Sequence, residues 1–126
     1  MALKGRLARW NARAWLGPLL APDERVRVLA VESRSAGDVW VISTAATYIN
    51  SKPSLGGRER RHDRNLRIPH AVVTAVAQAQ GGKEATLTVV ALADGESREY
   101  SGCFASADAS QLACAISDGS GVQVVR

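Results

Sequence analysis

The sequence is poor in cysteine and histidine, and each shortage removes a class of function. Only two cysteines occur among 126 residues, too few for the disulfide framework of a small secreted domain. Cys103 and Cys114 lie in neither a CxxC motif nor a Cys/His ligand spacing, so we expect free thiols. His62 and His70 are the only histidines, and no phosphate-loop, zinc-protease or nucleophile-elbow motif accompanies them. The sequence therefore predicts a protein that is not an enzyme and has no cofactor or bound metal.

Long apolar segments are missing as well. No run approaches the roughly 18–20 consecutive apolar residues that a membrane-spanning helix needs. Basic side chains interrupt the first eighteen residues, so these lack the continuous apolar core of a secretory signal; they are Lys4, Arg6, Arg9 and Arg13. We therefore expect a cytoplasmic protein, with a peripheral position at the inner face of the membrane as an alternative.

The formal net charge of +4 is unevenly distributed along the chain. Residues 1–20 carry four basic and no acidic side chains, and residues 51–68 carry six basic and two acidic ones. Guanidinium groups in such a cluster can hold phosphates in bidentate fashion. The predicted anion-binding residues are Lys52, Arg58, Arg60, Arg61, Arg64 and Arg67. A solvated charged loop without a ligand is the alternative for this segment.

The N-terminal segment has the periodicity of an amphipathic helix. Two leucines and a tryptophan share one helical face, and three arginines fall on the neighbouring face. The predicted membrane or partner contacts are Leu3, Leu7, Trp10, Arg6, Arg9 and Arg13. Gly17 and Pro18 end the helix. Because so short a helix is marginal alone, it docks on its own domain, on a partner or on a membrane surface.

The rest of the chain alternates short β-type runs with turn residues. Ser43–Ala46 is expected to reverse the chain, and Asp94-Gly95 is a strong hairpin signal. The predicted strands are Val26–Glu32, Val39–Ser43, Thr47–Asn50, Leu66–Gln80, Thr86–Ala93 and Ser97–Phe104. Val122–Arg126 forms either a short final strand or a frayed end. In the first strand Val26, Val28 and Ala30 form the apolar face, and Trp40 is expected in the core.

An Ala-rich amphipathic stretch, Ala105–Asp118, follows the last long strand and predicts a helix. Ser106 and Asp108 are candidates for its N-terminal cap, and Gly119 for its C-terminal cap. The predicted buried face contains Ala105, Ala109, Leu112, Ala113 and Ile116, with Cys114 on the far side. This order predicts an α+β domain, a small β-barrel of about seven antiparallel strands capped by one helix. We place this domain at residues 22–126, after the helix at residues 1–20.

The layout resembles the bacterial pleckstrin-homology-like domain over about residues 22–120. Asp38–Thr44 followed by Tyr48 and Ile49 is similar to that family's strand, Ser/Thr turn and next strand. Ile68–Val76 is similar to its Ile-Pro strand, and Tyr100, Phe104 and the following helix are similar to its closing strand and capping helix. The resemblance implies membrane association or protein interaction, and it places the Arg-rich loop between the third and fourth strands. The basic N-terminal helix and the length of that loop depart from the pattern.

We therefore predict a non-catalytic binding module for protein partners or anionic membrane surfaces, with a homo-oligomer as a further possibility. The alternative is a nucleic-acid-binding protein that uses the Arg-rich loop and the basic N-terminal helix as phosphate contacts. Binding of single strands needs exposed rings that stack on bases. Trp10, Trp15 and Tyr48 are the candidates for such stacking.

Overall fold

The computed structural model describes residues 16–34, 38–51 and 64–126, with the backbone alone for Ser51 and Arg64. Helix α1 spans Ser106–Ser120, and short 3-10 turns lie at Gly17–Leu19 and His70–Val72. The strands are β1 (Val26–Val31), β2 (Val39–Ser43), β3 (Ala46–Ser51), β4 (Arg64–Pro69), β5 (Val73–Gly81), β6 (Glu84–Ala93), β7 (Glu96–Ala105) and β8 (Val124–Val125). The predicted α+β class is confirmed.

Strands β1 to β4 form sheet A, an antiparallel meander in chain order. Its strand β2 reads Val-Trp-Val-Ile-Ser, and all five residues are buried. Branched and aromatic side chains of this kind favour a pleated, buried strand. The reversal into β3 is fixed by Ser43, whose Oγ accepts hydrogen bonds from the backbone N–H of Ala45 (3.1 Å) and Ala46 (3.0 Å). The predicted reversal at Ser43–Ala46 is confirmed.

Strands β5 to β8 form sheet B, in the order β7-β6-β5-β8, with β8 parallel to β5. Along β6 the buried residues alternate with less buried ones, as expected for a sheet with one face in the core. The β6–β7 hairpin turns at Asp94 and Gly95, with φ of 53° and 80°. A two-residue hairpin loop requires positive φ at both positions, so the predicted Asp-Gly hairpin is confirmed.

The main core lies between the inner faces of the two sheets and helix α1. Trp40 from β2 meets Phe104 from β7 edge to face, with ring centroids 5.3 Å apart. Gly102 allows this approach, because a Cβ there would lie 2.9 Å from Phe104 Cε2 and 3.3 Å from Trp40 Cε2. Helix α1 buries Ala109, Leu112, Ala113 and Ile116 completely, as predicted, and Ala115 as well. Cys114 is exposed.

The predicted β-barrel of about seven antiparallel strands needs correction. The described strands form two four-stranded sheets, and one of the eight strands is parallel to its neighbour. The chain leaves sheet A at Pro69, which has no N–H to continue a ladder, and the 3-10 turn His70–Val72 redirects it into sheet B. The predicted single strand Leu66–Gln80 is therefore two strands in different sheets.

Local predictions also differ from the structure at several residues. A β-bulge between Val26 and Val28 disturbs the alternation of β1, and Val26 is 46% exposed. Ala105 is exposed and ends β7, and no side chain caps helix α1 at its N-terminus. The helix continues past Gly119, and Gly121 ends it with a φ of 76°.

The predicted N-terminal helix lies mostly outside the described residues, which begin at Leu16. Gly17–Leu19 forms a 3-10 turn, with Pro18 inside it. None of the helices in the described ranges has the length and apolar character needed to cross a bilayer. The domain boundaries at residues 1–20 and 22–126 stay predictions.

Candidate binding surfaces

Two connections leave the same end of sheet A, which we call the basic end. Antiparallel pairing places Val39 beside both Val31 and Asn50, and Ser51 beside Arg64. The β1–β2 connection and the β3–β4 connection therefore both start at this end. The β3–β4 connection contributes the predicted anion-binding residues Lys52, Arg58, Arg60 and Arg61, which lie outside the described residues.

The β1–β2 connection is tied to sheet B at the basic end. The backbone N–H of Ser33 donates to the carbonyl of Cys103 at 2.8 Å, and its hydroxyl donates to Glu84. Arg34 Nε lies 3.2 Å from Glu84 Oε1, with 70% of the arginine side chain exposed. The hydrogen bond from Ser33, and then that from Arg34, lower the pKa of Glu84. Arg34 thus places a described, largely exposed cation at the basic end.

Glu32 contributes a second carboxylate at this corner. The backbone N–H of Cys103 donates to Glu32 Oε1 at 3.4 Å. Burial raises the pKa of Glu32, against the lowering effect of that hydrogen bond, and the nearby charge of Asp38 raises it further. The corner therefore combines cations and carboxylates, and Glu32 and Glu84 are both engaged in contacts within the protein.

At the other end of sheet A, Glu24 forms what we call the Glu24 clasp. Its carboxylate accepts hydrogen bonds from the hydroxyl of Ser43, from Tyr48 Oη at 2.6 Å and from the backbone N–H of Ala21 at 3.0 Å. Glu24 is only 7% exposed. Burial alone would raise its pKa, but these hydrogen bonds and the charge of Arg67 outweigh that effect and lower it. The clasp holds the segment before β1 against β2 and β3.

Arg67 belongs to the same network. Its Nε donates to Tyr48 Oη at 3.0 Å, and its guanidinium carbon lies 5.7 Å from the centre of the Tyr48 ring. Burial, and then the bond to Glu24, raise the pKa of Tyr48, so the phenol stays protonated and donates. The bond to Tyr48 is the main reason why the pKa of Arg67 is raised. Arg67, predicted as an anion contact, lies in β4, where it is exposed and hydrogen-bonded to Tyr48.

Sheet A has a second apolar surface, the outer face, on the side opposite the main core. Leu16, Val39, Val41, Ala46 and Tyr48 are buried there, and Leu20, Leu29 and Val31 pack against them. Beyond Tyr48 the surface becomes polar, since Asn50 donates from Nδ2 to Asn65 and Arg67 lies over Tyr48. The apolar part of the outer face thus covers β1 to β3 and ends at β4.

His70 is positioned as a structural residue. It is buried, and its Nε2 lies 2.9 Å from the carbonyl oxygen of Ser43. Gly119 of helix α1 faces the same ring so closely that a Cβ there would lie 2.3 Å from His70 Cδ2. His70 therefore lies in the interior of the domain, in the 3-10 turn between the two sheets. Among the described residues, no group of three or more His, Cys, Asp or Glu side chains could hold a metal ion.

The comparisons with known proteins concern the fold. No family model and no curated protein matches the sequence. The crystal structure of a pleckstrin homology domain from Shewanella amazonensis matches with a TM-score of 0.64 and 16% identity, over 87% of this chain and 86% of that one. A protein with a pleckstrin-homology domain from Shewanella loihica matches with a TM-score of 0.65 and 16% identity, over 87% of this chain and 91% of that one. The chain has the pleckstrin-homology fold. The resemblance found in the sequence is confirmed at the level of fold.

Within this pleckstrin-homology fold, most of the predicted site residues cannot be placed. The predicted helix contacts Leu3, Arg6, Leu7, Arg9, Trp10 and Arg13 lie outside the described residues, and so do Lys52, Arg58, Arg60 and Arg61. The backbone of Arg64 begins β4. Sequence analysis missed Glu24, Arg34 and the outer face. The unbroken apolar character of β2 was the available signal for the outer face, because only a strand buried on both sides lacks polar alternation.

Proposed function

We propose that this chain is a non-catalytic, cytoplasmic binding module that attaches to anionic membrane surfaces through its basic end. The observation that carries this proposal is topological. The connection bearing Lys52, Arg58, Arg60 and Arg61 leaves sheet A beside the connection bearing exposed Arg34. Arg64 follows directly at the start of β4.

Clustering supports the proposal because attraction to a charged surface depends on local charge rather than on total charge. Screening at physiological ionic strength limits electrostatic interactions to about 8 Å, so only cations near the membrane contribute. Residues 52–64 have five basic and two acidic side chains. Each basic residue near an anionic leaflet contributes on the order of 1 kcal/mol. The net excess of cations in this segment is therefore enough for weak, reversible attachment.

The test is sedimentation of the full chain with phosphatidylcholine vesicles and with vesicles containing phosphatidylserine, at low and at high salt. We expect binding to the anionic vesicles only, weakened by salt. Replacing Arg58, Arg60, Arg61 and Arg64 by Ser should remove most of this binding. The melting temperature should change little, because exposed charges contribute little to stability.

A control variant replaces four arginines elsewhere, and so changes the net charge by the same amount. Arg25, Arg27, Arg98 and Arg126 are all exposed, and the ion pair that Arg27 makes with Asp118 at 3.4 Å is exposed as well. We expect this variant to keep most of the vesicle binding. Equal losses of vesicle binding in the two variants would contradict a specific role for the basic end. Undiminished binding in the variant that lacks the arginines of the basic end would show that the β3–β4 connection does not bind the membrane.

The nucleic-acid alternative is tested with the same two variants and a labelled oligonucleotide. Tyr48, one of the three rings expected to be available for stacking, is buried and hydrogen-bonded. This weakens the case for single-strand binding, which depends on exposed aromatic rings. If the chain binds the oligonucleotide more tightly than anionic vesicles at the same salt concentration, the nucleic-acid alternative is favoured.

A second candidate function is self-association, and the edge of sheet B favours it. Cys103 in the edge strand β7 turns its N–H and C=O away from β6, towards Glu32 and Ser33. The alternation of an antiparallel ladder gives Ser97, Glu99 and Ser101 the same orientation. No described residue pairs with these outward backbone groups. An open edge of this kind accepts a further strand.

Sedimentation velocity of the full chain at increasing concentration tests this second candidate. If copies pair through β7, Glu99→Pro should shift the protein to monomer, since proline removes the outward N–H that the partner strand needs. Glu99→Gln retains that N–H and should leave the association unchanged. A chain that is monomeric at all concentrations would rule the candidate out.

A further inference from the structure

The apolar side chains on the outer face of sheet A are as buried as those of a hydrophobic core. Val39 and Val41 of β2 point away from the main core, yet they are 2% and 0% exposed. Tyr48 on β3 is 1% exposed. Apolar side chains on the solvent side of an antiparallel sheet are ordinarily exposed. A structural element therefore has to cover this face.

The described residues supply only part of such a cover. Leu16 and Leu20 pack on the outer face, and they come from a single turn of chain. The apolar area extends over three strands, from β1 to β3, which is about 10 Å between the outer strands. One helix laid across the strands would fit this area.

Residues 1–15 of the same chain are close enough to the outer face to supply this helix. Leu16 is 4% exposed within the outer-face cluster, so residues 1–15 begin directly at its border. The Glu24 clasp fixes the connection between Leu16 and β1 through Ser43 and Tyr48. Fifteen residues in helical form are about 22 Å long, which is enough to cross the three strands.

We propose that residues 1–15 dock as an amphipathic helix on the outer face of sheet A of the same molecule. Leu3, Leu7 and Trp10 then pack on Val39, Val41 and Tyr48, and they complete the second core that Leu16 begins. Arg6, Arg9 and Arg13 fall on the neighbouring helical face by their spacing, and they stay in solvent. The docked helix keeps its basic side chains available, so docking is compatible with attachment to an anionic surface and does not depend on it.

A double-mutant cycle in the full chain locates the helix. Leu7→Ala is combined with Val41→Ala, and the matched control combines it with Val89→Ala. Both valines are completely buried, Val41 in the outer-face cluster and Val89 in the main core. Urea unfolding gives the equilibrium constant of each variant. Residues in contact are coupled, and distant ones add independently.

We expect the unfolding constants to show a coupling of about fivefold for Leu7 with Val41, and less than about twofold for Leu7 with Val89. Leu7→Ala alone should shift the unfolding midpoint, and Arg9→Ala, on the basic side, should not. If Val41→Ala does not fold, Val39→Ala provides the same cycle. A silent Leu7→Ala, or equal coupling to both valines, would overturn the proposal.

Oligomeric state distinguishes docking within one molecule from exchange between two. Sedimentation velocity of the full chain should give no dimer that depends on Leu7. A dimer that Leu7→Asp converts to monomer would place the helix on a second copy, and would overturn docking within the same molecule. This result is independent of vesicle binding, so the proposal can fail while the proposed function stands.

Discussion

The two sheets of this protein contain the same number of strands, but they bury their faces differently. In sheet A all five residues of β2 are buried. In sheet B the long strand β6 buries every second residue, and its outward positions are half-buried or exposed. Sheet B is thus an ordinary sheet with one face in the core, whereas sheet A separates two apolar clusters. The difference shows that one sheet needs a cover and the other does not.

The outward residues of sheet B explain why it needs none. Thr88 and Ser101 on its outer side share a hydrogen bond of 3.0 Å between their hydroxyls, and Thr74 Oγ1 donates to the carbonyl of Val90 at 3.2 Å. Such side chains are easily solvated. The corresponding positions of sheet A carry Val39, Val41 and the ring of Tyr48, and exposing these apolar groups to water is unfavourable. The sequence of each sheet therefore determines which side is open to solvent.

The core that both sheets share should give the largest effect. Leu112 of helix α1 is completely buried, whereas Cys114 is exposed on the far side of the same helix. Leu112→Ala should cost about 2–5 kcal/mol in the free energy of unfolding, because it leaves a cavity that the surrounding side chains fill incompletely. Cys114→Ser should be nearly silent. Equal losses, measured by urea unfolding, would mean that α1 does not cap the main core through this face.

The next largest effect on the free energy of unfolding is expected from the difference between the outward sides of sheet A and sheet B. Val41 in β2 and Val90 in β6 both point outward, but Val41 is completely buried and Val90 only partly. Val41→Thr should cost about 1–3 kcal/mol, because it buries a hydroxyl that has no water to bind. Val90→Thr should change the free energy of unfolding by less than about 0.5 kcal/mol. If the two substitutions lower the free energy of unfolding equally, the outer face of sheet A does not form a second hydrophobic core.

Much of this contrast could be predicted from local patterns, and part of it could not. Alternation and turn residues predicted the hairpin at Asp94-Gly95, the reversal after Ser43 and the buried face of helix α1. The division of the run Leu66–Gln80 into two sheets at Pro69 was not predicted, because β-type residues continue after the proline. The burial of His70 could not be predicted from local patterns, because it depends on Ser43 and Gly119, which are distant in sequence.

The candidate sites were harder to predict than the fold. A basic cluster is visible as composition, but the position of Arg34 beside it follows only from the pairing of β1, β2 and β3. Glu24 and Arg67 are ordinary charged residues in the sequence. Their roles depend on Tyr48, which β-pairing places opposite Arg67. The anion-binding and helix-contact residues outside the described ranges stay predictions.

The smallest expected effect concerns the Glu24 clasp, which fixes the chain leading to the outer face. Glu24→Gln keeps an acceptor but loses the charge, and charge-assisted hydrogen bonds are about twice as strong as neutral ones. We expect a loss of about 1–2 kcal/mol at neutral pH. Asp23→Asn, the same change at the exposed neighbour, should have little effect.

The pH dependence of this loss tests its origin. Because the folded protein lowers the pKa of Glu24, the folded state holds the ionised carboxylate more favourably than the unfolded chain does. The stabilisation is therefore fully present above the ordinary glutamate pKa of about 4.3, and it disappears as the pH falls through the lowered value. Urea unfolding of wild type and Glu24→Gln between neutral pH and pH 3 should show curves that converge on acidification. A difference that stays constant over this range would show that the carboxylate charge does not hold the clasp together.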